Sequence, residues 1–175
     1  MKKISMILLT ALTAAVLTAC GGNTDVESNG GGAGSSASEE SKGYVFEYEG
    51  VSISVDALAE PIIKELGEPV SYYEAASCAF EGMDKMYTYN SVEIDTYPDE
   101  KGKDRISGII FKDDMVETPE GVSLFETKDD MIKAYGEDFT DENGTLVYEK
   151  DGMKLCFILD GDEIVSIEYM TTVLD

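Results

Sequence analysis

Residues 21–43 constrain the fold more than any other stretch, because they separate a tract that cannot build a core from the part of the chain that can. Between Gly21 and Gly43 the sequence has one large aliphatic residue, Val26, and no aromatic residue. A tract rich in Gly and Ser behaves as a flexible coil, with an end-to-end distance of about 25 Å at this length. We therefore expect residues 44–175 to form a single globular domain with its own core.

Residues 1–19 have the pattern of a secretory signal peptide. Lys2 and Lys3 precede an uncharged, apolar run from Ile4 to Ala19. As a helix this run would span about 24 Å, which is less than the ~30 Å hydrocarbon core of a bilayer. The pattern predicts a leader that is removed on export, so these residues are left out of the fold.

The predicted leader ends in Leu17-Thr18-Ala19-Cys20, which resembles the lipobox of bacterial lipoproteins. The resemblance implies that the Cys20 thiol receives a lipid and that the chain is cut just before it. Residues 20–43 would then tether the domain to the extracytoplasmic face of the cell membrane. The alternative is an ordinary signal peptide that happens to contain a cysteine.

The charge of the chain bears on its partners. There are 36 acidic and 13 basic residues, which give a formal charge of −23 at pH 7. Such a surface disfavours nucleic acid and anionic lipid headgroups, whose phosphates are bound by Lys and Arg. It favours basic partners or cations. The simpler explanation is that the acids keep an exported domain soluble.

The residue types present exclude several kinds of catalysis. The sequence has no histidine and no tryptophan, which excludes Ser-His-Asp and Cys-His nucleophiles and the usual zinc sites. The acidic stretch 138–145 does not match a calcium loop. With Gly144 at the sixth position, Phe139 falls at the first and Lys150 at the twelfth. We predict a non-enzymatic protein with no cofactor and no metal.

Two further cysteines, Cys78 and Cys156, lie in the predicted domain. In an exported protein such a pair forms a disulfide or remains as two free thiols, and both alternatives stay open at the sequence level.

Two segments of the domain resemble one another. The heptapeptides "IKELGEP" (63–69) and "IKAYGED" (132–138) match at Ile, Lys, Gly and Glu, and Tyr89 then aligns with Tyr148. The pattern predicts two copies of one unit, at about 44–118 and 119–175. The predicted fold class is α+β, built of two tandem helix–antiparallel-meander repeats with short helices on one face of the sheet.

The predicted elements follow from capping and turn residues. In the second copy Thr127 caps a helix that Gly136 ends, and strands are expected at 145–150, 153–159 and 163–170. In the first copy a helix begins at Asp56 or Pro61 and ends at Gly67. Its neighbours are a hairpin within 44–55 and strands near 71–76, 85–90, 92–98 and 104–112.

A short helix that ends in "LGEP" (66–69) or "YGED" (135–138), followed by a meander and repeated behind a lipobox, resembles the β-lactamase-inhibitor-protein-like fold and the small outer-membrane-assembly lipoproteins. The resemblance covers about residues 50–170 and departs at Asp138, where a proline is usual. It implies a protein-binding module and assigns no catalytic residue.

Strand alternation assigns each residue to one of two sheet faces, because residues two apart share a face. The predicted core face comprises Tyr87, Tyr89, Leu146, Tyr148, Met153, Leu155, Phe157, Val165, Ile167 and Tyr169. The opposite face is the predicted partner site, with large apolar residues among acids: Met86, Tyr97, Ile106, Ile110, Val147, Ile158 and Ile164.

This composition predicts a protein or peptide partner that is apolar at its centre and basic at its edge. In a competing account the hairpin in 44–55 or the link 70–84 covers that face, or a one-residue register error exchanges the two faces. The alternative function is an envelope sensor that binds a small molecule or a cation through its acidic surface.

Overall fold

The computed structural model describes residues 43–175, so the predicted leader, Cys20 and the tether up to residue 42 lie outside the described residues. The described chain forms ten β-strands and two α-helices. In chain order these are β1 (Phe46–Tyr48), β2 (Val51–Ile53), α1 (Ala59–Leu66), β3 (Ser71–Ala76), β4 (Met83–Thr88), β5 (Val92–Pro98), β6 (Asp104–Phe111), α2 (Lys128–Tyr135), β7 (Thr140–Glu142), β8 (Thr145–Lys150), β9 (Met153–Asp160) and β10 (Glu163–Thr171).

Eight of the strands form one antiparallel sheet in the order β3-β4-β5-β6-β10-β9-β8-β7, and β1 pairs with β2 in a separate hairpin. Two meanders therefore meet at the centre of the large sheet, where Ile109 of β6 lies opposite Tyr169 of β10. Both of these side chains are buried.

The predicted fold class of two tandem helix–meander repeats is wrong. The described domain is mostly β, with one continuous eight-stranded sheet and only two helices, each of eight residues. The strands on both sides of the β6–β10 junction bury their side chains in a single hydrophobic core. Because neither meander has a core of its own, the domain does not divide into two helix–sheet units.

The residues that suggested repetition have a local structural role. Tyr89 donates its hydroxyl to the carbonyl of Gly67 at 3.3 Å, and Tyr148 donates to the carbonyl of Gly136 at 2.6 Å. Each glycine follows the last residue of a helix and has a positive φ, 78° and 83° respectively, which a glycine adopts without strain. The shared residues thus tie each helix end to the sheet.

The two helices begin differently. At α2, the Thr127 hydroxyl accepts from the Asp130 N–H, as expected of the predicted cap, and the Asp130 carboxylate accepts from the Thr127 N–H, which completes a capping box. At α1 the residue before the helix, Leu58, makes no such side-chain bond. Pro61 lies in the first turn, where backbone N–H groups have no partner within the helix in any case.

The hairpin and both helices cover one face of the large sheet. The ring of Phe46 in β1 lies 5.0 Å from that of Phe111 and 6.0 Å from that of Tyr169, measured between centroids. Tyr135 of α2 packs on Tyr148 at 5.3 Å. These packed rings show that the core lies on this face. Each fully buried aromatic or branched aliphatic side chain there contributes about 1.5–3 kcal/mol of burial free energy.

Of the residues predicted for the core face, all except Tyr87 and Val165 are buried. Tyr87 is half-buried against the core. Val165 is 40% exposed because the pairing of β10 with β9 shifts register between Ile164 and Ser166. A bulge of this kind breaks the two-residue alternation, and as a result Ile164 and Ile167 both point into the core.

Candidate functional site: the open face of the sheet

The face of the eight-stranded sheet that lies opposite the hairpin and the helices is called the open face here. Two cross-strand rows of residues form its middle. The first row is Tyr73, Met86, Asp95, Gly108, Met170, Lys154 and Glu149, and the second is Thr88, Glu93, Ile110, Glu168, Cys156 and Val147.

Of the two segments proposed to cover this face, the hairpin does not do so and the link covers only one end of it. The hairpin within 44–55 packs on the other face, where Phe46 contacts Phe111. The link 70–84 supplies β3, which extends the sheet beyond β4 as an edge strand. The turn after β3 covers Tyr97 at the end of β5, where the ring centroids of Phe80 and Tyr97 lie 5.7 Å apart. The open face is therefore a surface along most of its length.

The structure brings four of the seven predicted partner-site residues to the open face. Met86, Ile110, Val147 and Ile158 lie there on β4, β6, β8 and β9. Met86 and Ile158 are 37% and 36% exposed, whereas Val147 is buried at the bottom of a groove.

The other three predicted residues are corrections. Ile106 and Ile164 are fully buried in the core, since register shifts opposite Thr96 and after Ile164 exchange the faces of the residues beyond them. Tyr97 is buried at the end of β5, where its hydroxyl donates to the Asp56 carboxylate at 2.9 Å.

A groove of about 370 Å³ crosses the open face over β8, β9 and β10. Its apolar lining comprises Val147, Cys156, Ile158, Met170 and Leu174. Its charged lining comprises Glu142, Lys154, Glu168 and Asp175.

The C-terminal residues shape one wall of this groove. The ammonium group of Lys154 forms ion pairs with two carboxylates, at 2.9 Å from that of Asp175 and 3.6 Å from that of Glu142. Because the groove is lined by three carboxylates, those of Glu142, Glu168 and Asp175, and by one ammonium group, its rim is net negative. The apolar floor and acidic rim together make a site for an apolar side chain that is flanked by positive charge.

The centre of the open face is also acidic. Burial, and next the charge of Glu93, raise the pKa of Asp95 to about 6, and the carboxylates of Glu168 and Asp84 act in the same direction. Lys112 partly offsets this charge, with its ammonium group 3.6 Å from the Glu93 carboxylate. The acids on the strands thus extend the negative potential of the groove rim across the sheet.

Cys156 lies in the groove but is not a reactive thiol. Burial, and next the charge of Glu168, raise the pKa of the Cys156 thiol to about 11. The thiolate is the nucleophilic form of cysteine, so at neutral pH this side chain stays protonated and acts as a small apolar group.

The disulfide alternative for Cys78 and Cys156 is wrong, because both are free cysteines. Cys78 lies in the turn between β3 and β4, and Cys156 lies on β9. Three strands lie between β4 and β9 in the sheet, and four inter-strand spacings amount to about 19 Å. A disulfide requires Cα atoms within about 7 Å of one another.

Within residues 43–175, no three Cys, Asp or Glu side chains are grouped so that they could hold a metal ion. The same part of the chain has no helix that is both long and apolar enough to cross a membrane. Comparison with protein-family models, with curated protein sequences and with solved structures gave no match.

Sequence reasoning missed both bulges and the groove wall formed by the C-terminal residues. One signal for the bulge in β6 was present in the sequence. Gly108 lies inside a strand, and glycine in a strand often marks a bulge or a close approach of another chain segment. A Cβ atom at this position would lie 3.1 Å from the sulfur of Met170 on the neighbouring strand. No comparable residue marks the bulge after Ile164.

Proposed function

We propose that this protein is a membrane-anchored lipoprotein that binds a protein or peptide of basic character in the groove on the open face. The domain would stand outside the cytoplasmic membrane, held by a lipid on Cys20 and the tether 20–43. The observation on which this rests is the groove itself, in which an apolar floor around Ile158 lies beside carboxylates such as Glu168 and Asp175.

The binding chemistry follows from that arrangement. An apolar side chain of the partner would displace water from Val147, Ile158 and Met170, and apolar burial is the main favourable term in such contacts. A Lys or Arg beside it would meet Glu168 or Asp175, which favours basic partners and speeds their encounter. This is the chemistry of recognition, and the protonated thiol of Cys156 supplies no nucleophile to it.

The groove is tested by removing its exposed apolar side chain. Ile158→Ser is compared with Val165→Ser, because Val165 is an aliphatic residue of similar exposure that does not line the groove. Binding partners are captured from envelope extract by photo-crosslinking, and the melting temperature Tm of each variant is measured alongside.

We expect Ile158→Ser to lose the captured band while Val165→Ser keeps it, with little change in Tm for either variant. If the two variants captured the partner equally well, or lost capture equally, the groove would not be the binding site.

The anchor is tested separately with Cys20→Ser. This variant should accumulate as an unprocessed precursor that takes up no radiolabelled lipid, whereas Cys78→Ser should be processed and labelled like the wild-type protein. Lipid labelling of the Cys20→Ser protein at mature size would show that the lipobox interpretation is wrong.

A further inference from the structure

The two edges of the eight-stranded sheet differ in how they are protected. The edge strand β7 has only three residues and two of them, Asp141 and Glu142, are acidic. The other edge strand, β3, pairs with β4 over six consecutive residues without a register shift. It has no proline, no lysine and no bulge, which are the usual devices that block an edge.

The backbone of β3 has a row of hydrogen-bonding groups that face away from the sheet. Ser77 donates its N–H to the Gly82 carbonyl at 3.0 Å, so the odd-numbered residues of the strand point their N–H groups towards β4. The N–H and C=O groups of Tyr72, Glu74 and Ala76 therefore point outwards. These are the groups that an added strand would bond.

Side chains on both faces of β3 are exposed as well. Tyr72, 48% exposed, lies on the helix-covered face, where its ring is 5.1 Å from that of Tyr87 and its hydroxyl donates to Glu74. Tyr73, 62% exposed, lies on the open face opposite Met86. A strand laid along β3 would contact a tyrosine on each face.

The charge around β3 selects the kind of partner. Glu74 on the strand, Glu68 before it and Glu81 after it are all exposed. The nearest base on β4, Lys85, already forms an ion pair with Asp104. A second copy of this chain, with its formal charge of −23, would be repelled, whereas a basic segment would be attracted.

We propose that β3 is a second binding surface, at which an extended basic segment of a partner protein adds as a further strand of the sheet. Its backbone bonds the outward groups of Tyr72, Glu74 and Ala76. A Lys or Arg side chain lies beside Glu74, and alternate apolar or aromatic side chains lie beside Tyr73. This surface is at the opposite end of the sheet from the groove, so the inference does not depend on the proposed function.

The probe is a short fluorescein-labelled peptide of alternating Arg and Val, and its comparator is the same peptide with every backbone nitrogen methylated. The two peptides have the same charge and side chains, but only the first can donate backbone hydrogen bonds. Fluorescence anisotropy at about 150 mM NaCl, which screens nonspecific attraction, should show binding of the first peptide that is about tenfold tighter.

Variants of the full domain locate the binding. Glu74→Lys should weaken binding of the unmethylated peptide about fivefold, whereas Glu137→Lys, an equal charge change at an exposed residue far from β3, should change it less than about twofold. Ala76→Pro removes one outward N–H without changing charge and should also weaken binding. Ile158→Ser in the groove should leave binding unchanged, which separates this inference from the proposed function.

Equal affinity for the two peptides, or equal loss in Glu74→Lys and Glu137→Lys, would overturn the inference. Circular dichroism melts verify that each variant is folded, and Glu74→Gln replaces Glu74→Lys if the latter is not. The other candidate partner for β3 is a second copy of the chain, which sedimentation of the protein alone would detect as a dimer. If Ala76→Pro dissociated that dimer, β3 would pair with a second copy of the chain and the inference would be wrong.

Discussion

At the scale of single residues, Ile158 and Ile164 show how burial follows from register. Both are isoleucines close to the turn that joins β9 and β10, and simple alternation places them on the same face. The bulge after Ile164 moves its side chain into the core, while Ile158 stays on the open face with 36% of its surface exposed. The difference between a core residue and a surface residue here is one unpaired position, Val165.

Ile164→Ala should therefore destabilise the domain far more than Ile158→Ala. Loss of a fully buried isoleucine side chain costs about 2–5 kcal/mol of unfolding free energy, and a truncation at the half-exposed site should cost less than about 1 kcal/mol. Urea denaturation of the two variants provides the measurement. Equal losses of unfolding free energy in the two variants would place both residues on one face of the sheet and show that β10 has no bulge after Ile164.

Asp95 should make stability depend on pH in an unusual direction. Its pKa is raised to about 6 in the folded protein, mainly by burial, from an ordinary value of 3.8. Between these two values the folded state holds more protons than the unfolded state, so Asp95 penalises stability increasingly as pH rises from about 4 to above 6.

Asp95→Asn should accordingly raise the unfolding free energy at pH 7.5 and raise it much less at pH 4. Glu137→Gln, at an exposed residue, serves as the control for a simple loss of charge. Urea melts at both pH values give the comparison, and a gain that is independent of pH would show that Asp95 does not titrate in this range.

At the scale of elements, the two helices owe their ends to different interactions. α2 begins with a capping box, whereas α1 begins at Leu58 with no side-chain cap. α1 instead buries Ala59 and Ile62 against the core, and it contacts β2 and β6. For short helices such packing supplies most of the stability, and caps add to it.

Thr127→Ala should lower Tm by about 2–5 °C, because the Asp130 N–H then loses its acceptor and the Asp130 carboxylate loses the hydroxyl donor, keeping only the backbone N–H of residue 127. Thr127→Ser, which keeps the hydroxyl, should restore most of the loss. Thermal melts followed by circular dichroism measure both variants. No difference between the Ala and Ser variants would show that the box does not stabilise α2.

At the scale of the whole molecule, stability is set by one core opposed by a large negative charge. The core extends through both meanders and the hairpin, but the chain has 36 acidic residues and 13 basic ones. Several of the few bases are already in ion pairs, as Lys85 is with Asp104 and Lys154 with Asp175. Like charges at close spacing destabilise the compact state.

Sodium chloride should therefore raise Tm of the domain when its concentration is increased from about 20 to 500 mM, because the Debye length shortens from about 20 to 4 Å and repulsion between acids falls. Calorimetry of residues 43–175 in both buffers tests this, with potassium chloride as a control for a specific effect of sodium. A fall in Tm would mean that ion pairs contribute more stability than the excess acids remove.

The sequence alone determined the local features of the domain. Helix ends at Gly67 and Gly136, the capping box at Thr127 and most strand spans follow from residue preferences that act over a few positions. It also determined most of the core face, because alternation holds as long as a strand is regular. These features depend only on residues that are close together in the chain, so the local sequence pattern is enough to predict them.

The tertiary structure alone decided that the two meanders form one sheet with one core, and it decided which face Ile106 and Ile164 occupy. The pairing of β6 with β10 joins strands that are far apart in the chain, and no short pattern encodes that contact. A bulge adds one residue to a strand and exchanges the faces of all that follow. Side-chain direction in a sheet has a period of two residues, so one unpaired residue in β6 and another in β10 each turned a predicted surface residue into core.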